Sequence, residues 1–494
     1  MTNSKPGFDL LRNQMAKGAL WMVIMRWFMR SLGLISTLVL VRLLDPEDFG
    51  LMAMAYLFVT FITNVVDFSV DQAILRETNP DRDFYNSAWT IQILIGAGLA
   101  VVTLVMMPAV ASYFQDDRVI NVLAIIALQP VILGFENIGV VKFRKDMQFN
   151  REFKYWTYRK GLGVILTITL ALIFRDYHAL AIAGPATSLV AVILSYTMSD
   201  YRPRFSSRYV KKLWSFSRWM MLTNGSLFGA QRGDAIAMGR LGAADALGIY
   251  SVISTVSFMP IQEIFEPLNR ALLPGYARFK SSKAELQNVF LEVLGLAFLA
   301  VFAIGTGLYC ISSDLVLVLL GSKWVDGVDT FAWLALAGAC MGLIFVMQDM
   351  YTTLHREKDA SLIHFAHATT LLVGAFIVGS FLSPKFIAEV RFVIAFIFTV
   401  FMVAYLLIRL DVSPTRGLRL IWRPMIASIV MIFVLGRCHG ALTGVPAISL
   451  ICDILLGATT YIVSLAILWL AVGRPGGPES ILIARLKILA VERD

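Results

Sequence analysis

The chain is 494 residues long, 58% hydrophobic and only 16% charged, with 43 Lys and Arg against 34 Asp and Glu for a net charge of +9. A soluble globular protein carries roughly a quarter charged residues, so this balance and a mean hydropathy of +0.72 exclude a water-soluble fold. The basic excess is concentrated in alternate gaps between apolar runs, where it fixes topology and meets anionic headgroups, so nucleic acid is excluded as a partner.

Fourteen apolar stretches follow one another, near residues 17–41, 49–70, 86–110, 119–141, 158–175, 178–199, 215–240, 246–268, 289–311, 329–352, 360–381, 386–409, 421–440 and 447–472. Most hold about 20 apolar residues, enough to cross a hydrocarbon core of about 30 Å. The expected fold class is therefore an all-α polytopic membrane protein of about 14 transmembrane helices. Stretch 158–175 is the shortest and rises directly out of the charged segment KFRKDMQFNREFKYWTYRK. The positive-inside rule places both termini in the cytoplasm. Residues 1–16 are polar, and the first apolar run is too long for a signal-peptide core and carries two arginines, so it reads as a retained helix. Cys310, Cys340, Cys438 and Cys452 stand singly in apolar segments, without metal-ligand spacing, and read as packing residues. No GxxxxGK[ST] motif occurs, so no nucleotide hydrolysis is expected.

The chain repeats itself. Trp21, Arg42, Leu43 and Gly50 recur as Trp219, Arg240, Leu241 and Gly248, all at an offset of 198. Six helices separate the copies, and an even number makes the two lobes parallel. The expected division is 1–200 for one six-helix lobe, 201–410 for the second, and 411–494 for two extra helices and a cytoplasmic amphipathic tail (ESILIARLKILA).

Three segments carry a family resemblance. VRLLDPEDFGLMAMAYLF resembles the first hairpin of the Wzx-type polysaccharide-export flippases of the multidrug/oligosaccharidyl-lipid/polysaccharide superfamily. There, an Arg-Leu-Leu closes a helix ahead of an acidic turn ending in Gly. VVKFRKDMQFNREF is similar to the family's basic segment after helix four, and LVLVLLGSKWVDGVDTF to the Gly-x-x-Trp stretch before helix ten. The similarity runs over about residues 10–410. It implies a two-lobe flippase of undecaprenyl-pyrophosphate-linked oligosaccharides in the bacterial inner membrane, working by alternating access.

Charges inside apolar runs are costly and must face protein or water. Arg26 and Arg30 continue through Gly33 and Thr37 as one stripe of the first helix. Guanidinium binds phosphate oxygens bidentately while staying protonated, so this stripe reads as a cationic cavity wall; the alternative is an arginine pair bonded to carbonyls or acids. In the seventh helix Asn224 stands where Arg26 does, Gln231 and Asp234 continue its face, and Arg232 is either a further cavity cation or a structural ion-pair partner. Gate candidates are the acids at inner helix ends, Asp67, Asp71, Glu136, Glu263 and Glu266, with Arg270 four residues beyond Glu266; the bland reading is solvated helix ends with a local Glu266–Arg270 bridge. His364 and His367, at i, i+3, suit an interfacial polar pair better than a metal site or a proton relay. Arg391 also sits inside an apolar run.

The expected function is translocation of a lipid-linked exopolysaccharide, capsule or O-antigen unit, with membrane lipids and other polysaccharide assembly proteins as partners. No catalysis or cofactor is expected beyond a coupling ion, H⁺ or Na⁺. A cation-coupled drug exporter of the same superfamily is the alternative, weakened by arginines where an organic cation would want acids. An integral-membrane polymerase or ligase needs a platform at the outer face, where every gap is short.

Overall fold

The computed structural model describes residues 25, 27–66, 74–75, 77, 80–146, 148–210, 228, 232–279, 282–378, 383–438 and 445–480. Seventeen α-helices of five or more residues carry the description. They are α1 (27–43), α2 (Pro46–Val66), α3 (Arg82–Phe114), α4 (Arg118–Ile126), α5 (Leu128–Gly134), α6 (Val141–Lys145), α7 (Phe149–Phe174), α8 (Tyr177–Met198) and α9 (232–241). The rest are α10 (Ala244–Phe279), α11 (Lys283–Cys310), α12 (Ser312–Leu319), α13 (Val328–Thr353), α14 (Glu357–Val378), α15 (Pro384–Arg409), α16 (Pro414–Cys438) and α17 (Pro446–Ala471). Among the described residues there is no strand, and ten helices are long and apolar enough to cross a membrane, eleven if one bent pair counts as a span. The protein is a multi-pass, all-α membrane protein.

Two of the expected stretches look different in three dimensions. The run at 119–141 is a broken span: Arg118–Gly134 and Ile138–Lys145 meet at a 60° bend. Asn137 organises the break, its side chain accepting from Gly139 N at 2.9 Å and donating to the Tyr201 carbonyl at 2.7 Å. The short run at 158–175 extends backwards, because α7 begins at Phe149 and takes in most of the charged segment. Glu152, near its start, is buried and accepts from Arg144 Nε at 2.8 Å, which neutralises one of those charges.

The chain forms two compact units, Met1–Arg232 with Ala243–Gly248, and Gly233–Gly242 with Ile249–Asp494. In the first, Asp81 caps α3 by accepting from Phe84 N at 2.8 Å, and Asp176 caps α8 by accepting from His178 N at 3.0 Å. Small residues let helices close on one another: a Cβ on Gly96 of α3 would lie 2.2 Å from the Pro130 carbonyl oxygen. The repeat-related glycines show the same need within this unit. A Cβ on Gly50 would meet the Ala244 carbonyl oxygen at 1.6 Å, and one on Gly248 that of Pro46 at 1.8 Å. Residues 201–210 are strapped along the start of α3. There Asn86 Oδ1 accepts from Arg204 N and from the Tyr201 hydroxyl, both at 2.9 Å, while Phe205 stacks on Trp89.

In the second unit, the segment Ser322–Thr353 is the central element: 67% of its most apolar window is buried, against 11% for α17. Phe265, Tyr276, Phe290, Met347 and Tyr351 form the core around it. Gly321 takes φ +98, a left-handed conformation open to glycine, and lets the fully buried Trp324 turn into the protein. After α17 the chain returns to α16, where Glu479 and Arg423 are both buried and pair at 2.9 Å.

Candidate functional site

A polar cavity of about 260 Å³ lies inside the first unit. One face of α7 supplies Trp156, Arg159, Lys160, Gly163, Val164 and Thr167, spaced i, i+3, i+4, i+7, i+8, i+11 as a single helical stripe. The opposite walls come from Met29 and Ser36 of α1, Gln129 and Leu133 of α5, and Thr187 and Ser188 of α8. At Gly163, α7 packs against Thr187 of α8, where a Cβ would stand in ordinary contact with the Thr187 methyl group at 3.4 Å.

The two basic residues differ. Arg159 is half-buried and compensated: its Nη1 donates to both Glu136 carboxylate oxygens, at 2.9 and 3.1 Å, and its guanidinium lies 5.0 Å from the Trp156 ring centroid. The Tyr155 hydroxyl, on a fully buried side chain, also donates to Glu136. Lys160 is half-buried too, and among the described residues no carboxylate reaches it. It lies roughly 16 Å along α7 from Phe149 at 1.5 Å per residue, well inside the span. Its Nζ passes under α1, 3.9 Å from where a Gly33 Cβ would stand.

The hydroxyls around it have their protons engaged. Thr167 donates to the Gly163 carbonyl at 2.8 Å, and Thr187 and Ser188 both donate to that of Gly184, at 3.0 and 2.9 Å. Their lone pairs remain as acceptors, with Gln129 held beside the Tyr56 hydroxyl at 3.5 Å. The pocket thus presents one ammonium donor with an uncompensated charge, an aromatic face and a ring of acceptors. Phosphate oxygens suit the first, and polyhydroxylated rings suit the other two.

Sequence reasoning placed the cation on the stripe Arg26, Arg30, Gly33 and Thr37 of α1, whereas the α1 residues that line the pocket are Met29 and Ser36. Gly33 adjoins Lys160, Ser36 lines the wall, and Arg30 is half-buried on the same helix. Thr37 donates to the Gly33 carbonyl at 3.0 Å. Arg26, Asn224, Gln231, Asp67 and Asp71 lie outside the described residues, and so does the side chain of Arg270. Glu136 is held by Arg159 and Tyr155 beside the pocket. Glu263 is half-buried and Glu266 exposed on α10. Arg159 and Lys160 were missed as candidates because 142–160 reads as a basic loop. The i, i+3, i+4 pattern of Trp156, Arg159, Lys160, Gly163 and Thr167 was the signal for an amphipathic helix.

Arg232, the last residue of the first unit's main segment, is exposed. The second unit treats charge differently: Asp234 is fully buried and accepts from the Tyr250 hydroxyl and from Arg391 Nη1. A largely apolar groove of about 600 Å³ lies here between α11, α13, α15 and α16, lined by residues such as Phe298, Phe302, Phe396 and Leu418.

The chain is a multi-pass helical membrane protein of two units with a polar pocket in the first, and its fold recurs in proteins of the multidrug/oligosaccharidyl-lipid/polysaccharide superfamily. The fold matches that of the lipid II flippase MurJ in an inward closed conformation (TM-score 0.75, 13% identity, over 92% of this chain and 99% of that one). It also matches an inward-facing multidrug-resistance MATE transporter of that superfamily (TM-score 0.59, 14% identity, 78% and 95%). More particularly, residues 39–329 match the model of the polysaccharide biosynthesis protein family, and the chain belongs to that family. Among its relatives, the succinoglycan biosynthesis transport protein ExoT of Rhizobium meliloti (strain 1021) is 23% identical over 90% of this chain and 91% of that protein. The lipopolysaccharide biosynthesis protein WzxC of Escherichia coli (strain K12) is 23% identical over 66% of this chain and 68% of its own length.

Proposed function

We propose that this protein is a flippase that carries undecaprenyl-pyrophosphate-linked oligosaccharide units, for exopolysaccharide, capsule or O-antigen, across the bacterial inner membrane by alternating access. Both termini lie in the cytoplasm, and the protein performs no bond chemistry on its cargo. The observation that carries this reading is Lys160: an uncompensated ammonium deep in a span, facing acceptor oxygens and an indole. A half-buried cation that no carboxylate reaches among the described residues is costly in a membrane, and the cost is recovered when an anionic headgroup enters. Arg30, and Arg26 beyond the described residues, supply further positive charge along α1. The pyrophosphate takes these cations, while sugar hydroxyls donate to Gln129, Thr167, Thr187 and Ser188 across the Trp156 face. An organic cation finds no free carboxylate in this pocket, since Glu136 is occupied by Arg159, which counts against a drug exporter.

The test is export in cells that lack their own flippase and accumulate lipid-linked units on the cytoplasmic side. The wild-type chain restores surface polymer, and Lys160→Met does not, at equal amounts of folded protein. Failure of the wild type to restore any polymer removes the flippase reading. Normal export per molecule by Lys160→Met removes the pocket.

A further inference from the structure

The headgroup pocket has a second cation, and the chain itself already occupies it. Arg159 lines the pocket beside Lys160. Among the described residues all its hydrogen bonds leave from Nη1: two to the Glu136 carboxylate, at 2.9 and 3.1 Å, and one to the Tyr155 hydroxyl at 3.4 Å. A guanidinium presents a planar fork of N–H donors, so Nε and Nη2 remain for a further acceptor. Its single positive charge cannot fully answer a carboxylate and a phosphate at once.

Glu136 stands where losing Arg159 has a consequence, in the 60° break between Arg118–Gly134 and Ile138–Lys145. Two side chains of α7, one turn apart, hold it there: Arg159 and the fully buried Tyr155. α8 holds the next residue, because Asn137 N donates to Ser195 Oγ at 2.9 Å. On the near side of the break, Gln129 and Leu133 of α5 line the same pocket. One carboxylate thus joins a pocket cation to the bend of a span. Tyr155 also has the Ala191 carbonyl within 3.4 Å as a second acceptor, so the tie between charges is Arg159 alone.

We propose that Glu136 is a built-in competitor for Arg159, and that an entering diphosphate takes this arginine and thereby loosens the bend between α5 and α6. The proposal rests on the pocket being a headgroup site and adds how that site registers its occupant. No covalent bond breaks and no proton moves. Arg159 passes from Glu136 to a phosphate oxygen, and Glu136 keeps the Tyr155 hydroxyl. Its side chain is 19% exposed and takes water in place of the guanidinium. Breaking the internal pair offsets part of the new one, so cargo is held less tightly than by two unpaired cations, which suits a carrier that must release it. Glu136 is a positioning residue that acts through Arg159. Linkage makes the effect reciprocal: what loosens the bend also strengthens anion binding.

The experiment follows hydrogen exchange by mass spectrometry in the full chain in detergent, with farnesyl diphosphate as the probe. The amides of residues 135–141 report on the bend, where those of Asn137 and Gly139 are both bonded at 2.9 Å. A bound ligand ordinarily stabilises the fold and slows exchange. Here the probe is expected to speed exchange at 135–141 by about tenfold, the loss of one charge-assisted contact. Glu136→Gln is expected to exchange faster without probe, to gain nothing further from it, and to bind it about tenfold more tightly. Lys160→Met tests the pocket itself: it should weaken binding and leave exchange at the bend, without probe, as in wild type. Two results overturn the proposal and leave the pocket standing. One is a probe that binds through Lys160 yet leaves exchange at 135–141 unchanged or slower. The other is equal affinity in wild type and Glu136→Gln. Should Glu136→Gln not fold, wild type with and without probe decides alone. Binding that is absent, or indifferent to Lys160→Met, removes the headgroup reading and this proposal with it.

Discussion

The two units hold their interior charges in opposite ways. In the first, Arg159 is answered by Glu136 but its neighbour Lys160 is left facing an open polar pocket. In the second, the buried charges Asp234 and Arg391 answer each other, and a separate cavity is an apolar groove. Both cations are costly to bury, and the difference lies in who supplies the counter-charge. An internal partner makes a charge part of the fold, whereas a cation that no carboxylate reaches stays available to an anion from outside.

The largest expected effect tests the internally paired charge. Asp234→Asn leaves Arg391 buried with no anion and should cost about 3–5 kcal/mol, as breaking one side of a buried pair does. Fluorescence-detected size exclusion and thermal unfolding should show loss of folded protein. Removing both charges together, as Asp234→Leu with Arg391→Met, should recover most of it. A double variant as unstable as the single one would mean that the pair is not the main reason for the loss.

Lys160→Met should behave in the reverse manner. Its folded yield should equal or exceed that of wild type, because an uncompensated charge has left the membrane. Export should fall roughly ten- to a hundredfold, matching the loss of one charge-assisted contact of about 1.5–3 kcal/mol. Lys160→Arg should keep part of the activity, since the charge remains. If Lys160→Met lowered the thermal midpoint as Asp234→Asn does, Lys160 would be a structural residue and the contrast between the units would collapse.

Glu136→Gln sits between these cases. It strips Arg159 of its partner in a half-buried site and should cost about 1–2 kcal/mol. It also leaves a second free cation beside Lys160, so binding of an anionic headgroup analogue should tighten while release slows. Unchanged binding, measured by calorimetry or competition, would place Arg159 outside the pocket's field.

The smallest effect lies outside the spans. Arg118 donates to Asp116 at 2.8 and 3.0 Å and to Glu47 at 2.7 Å, and these bonds hold the Asp116 carboxyl below its ordinary 3.8. A depressed carboxylate contributes stability above its unfolded value, and that contribution is lost as pH falls through the lower folded value. The window is therefore below about pH 4. Because the Arg118 side chain is 47% exposed, solvent screens most of the gain. Arg118→Gln should make thermal stability only slightly less steep in that acid range, and leave it unchanged near pH 7.

How much of this was legible in the chain depends on what physics each feature uses. Membrane class and helix order follow from lengths of apolar sequence, because the bilayer sets one thickness for every span. The repeat was legible in Trp21, Arg42 and Gly50 with their copies 198 residues on, and Gly50 and Gly248 are indeed positions where no side chain fits. The same averaging hid α7. Hydropathy counts Arg144, Glu152, Arg159 and Lys160 as loop-like charges, whereas pairing Arg144 with Glu152 and Arg159 with Glu136 removes most of their cost. Pairing depends on partners eight and twenty-three residues away, and Glu136 stands in the 60° break that Asn137 organises. Sequence alone also put Arg391 and Asp234 inside apolar runs, which shows that each needs a partner. That they are each other's partner, 157 residues apart, and that Lys160 has none among the described residues, was decided only when the helices packed, since charge compensation is a matter of distance in space and not along the chain.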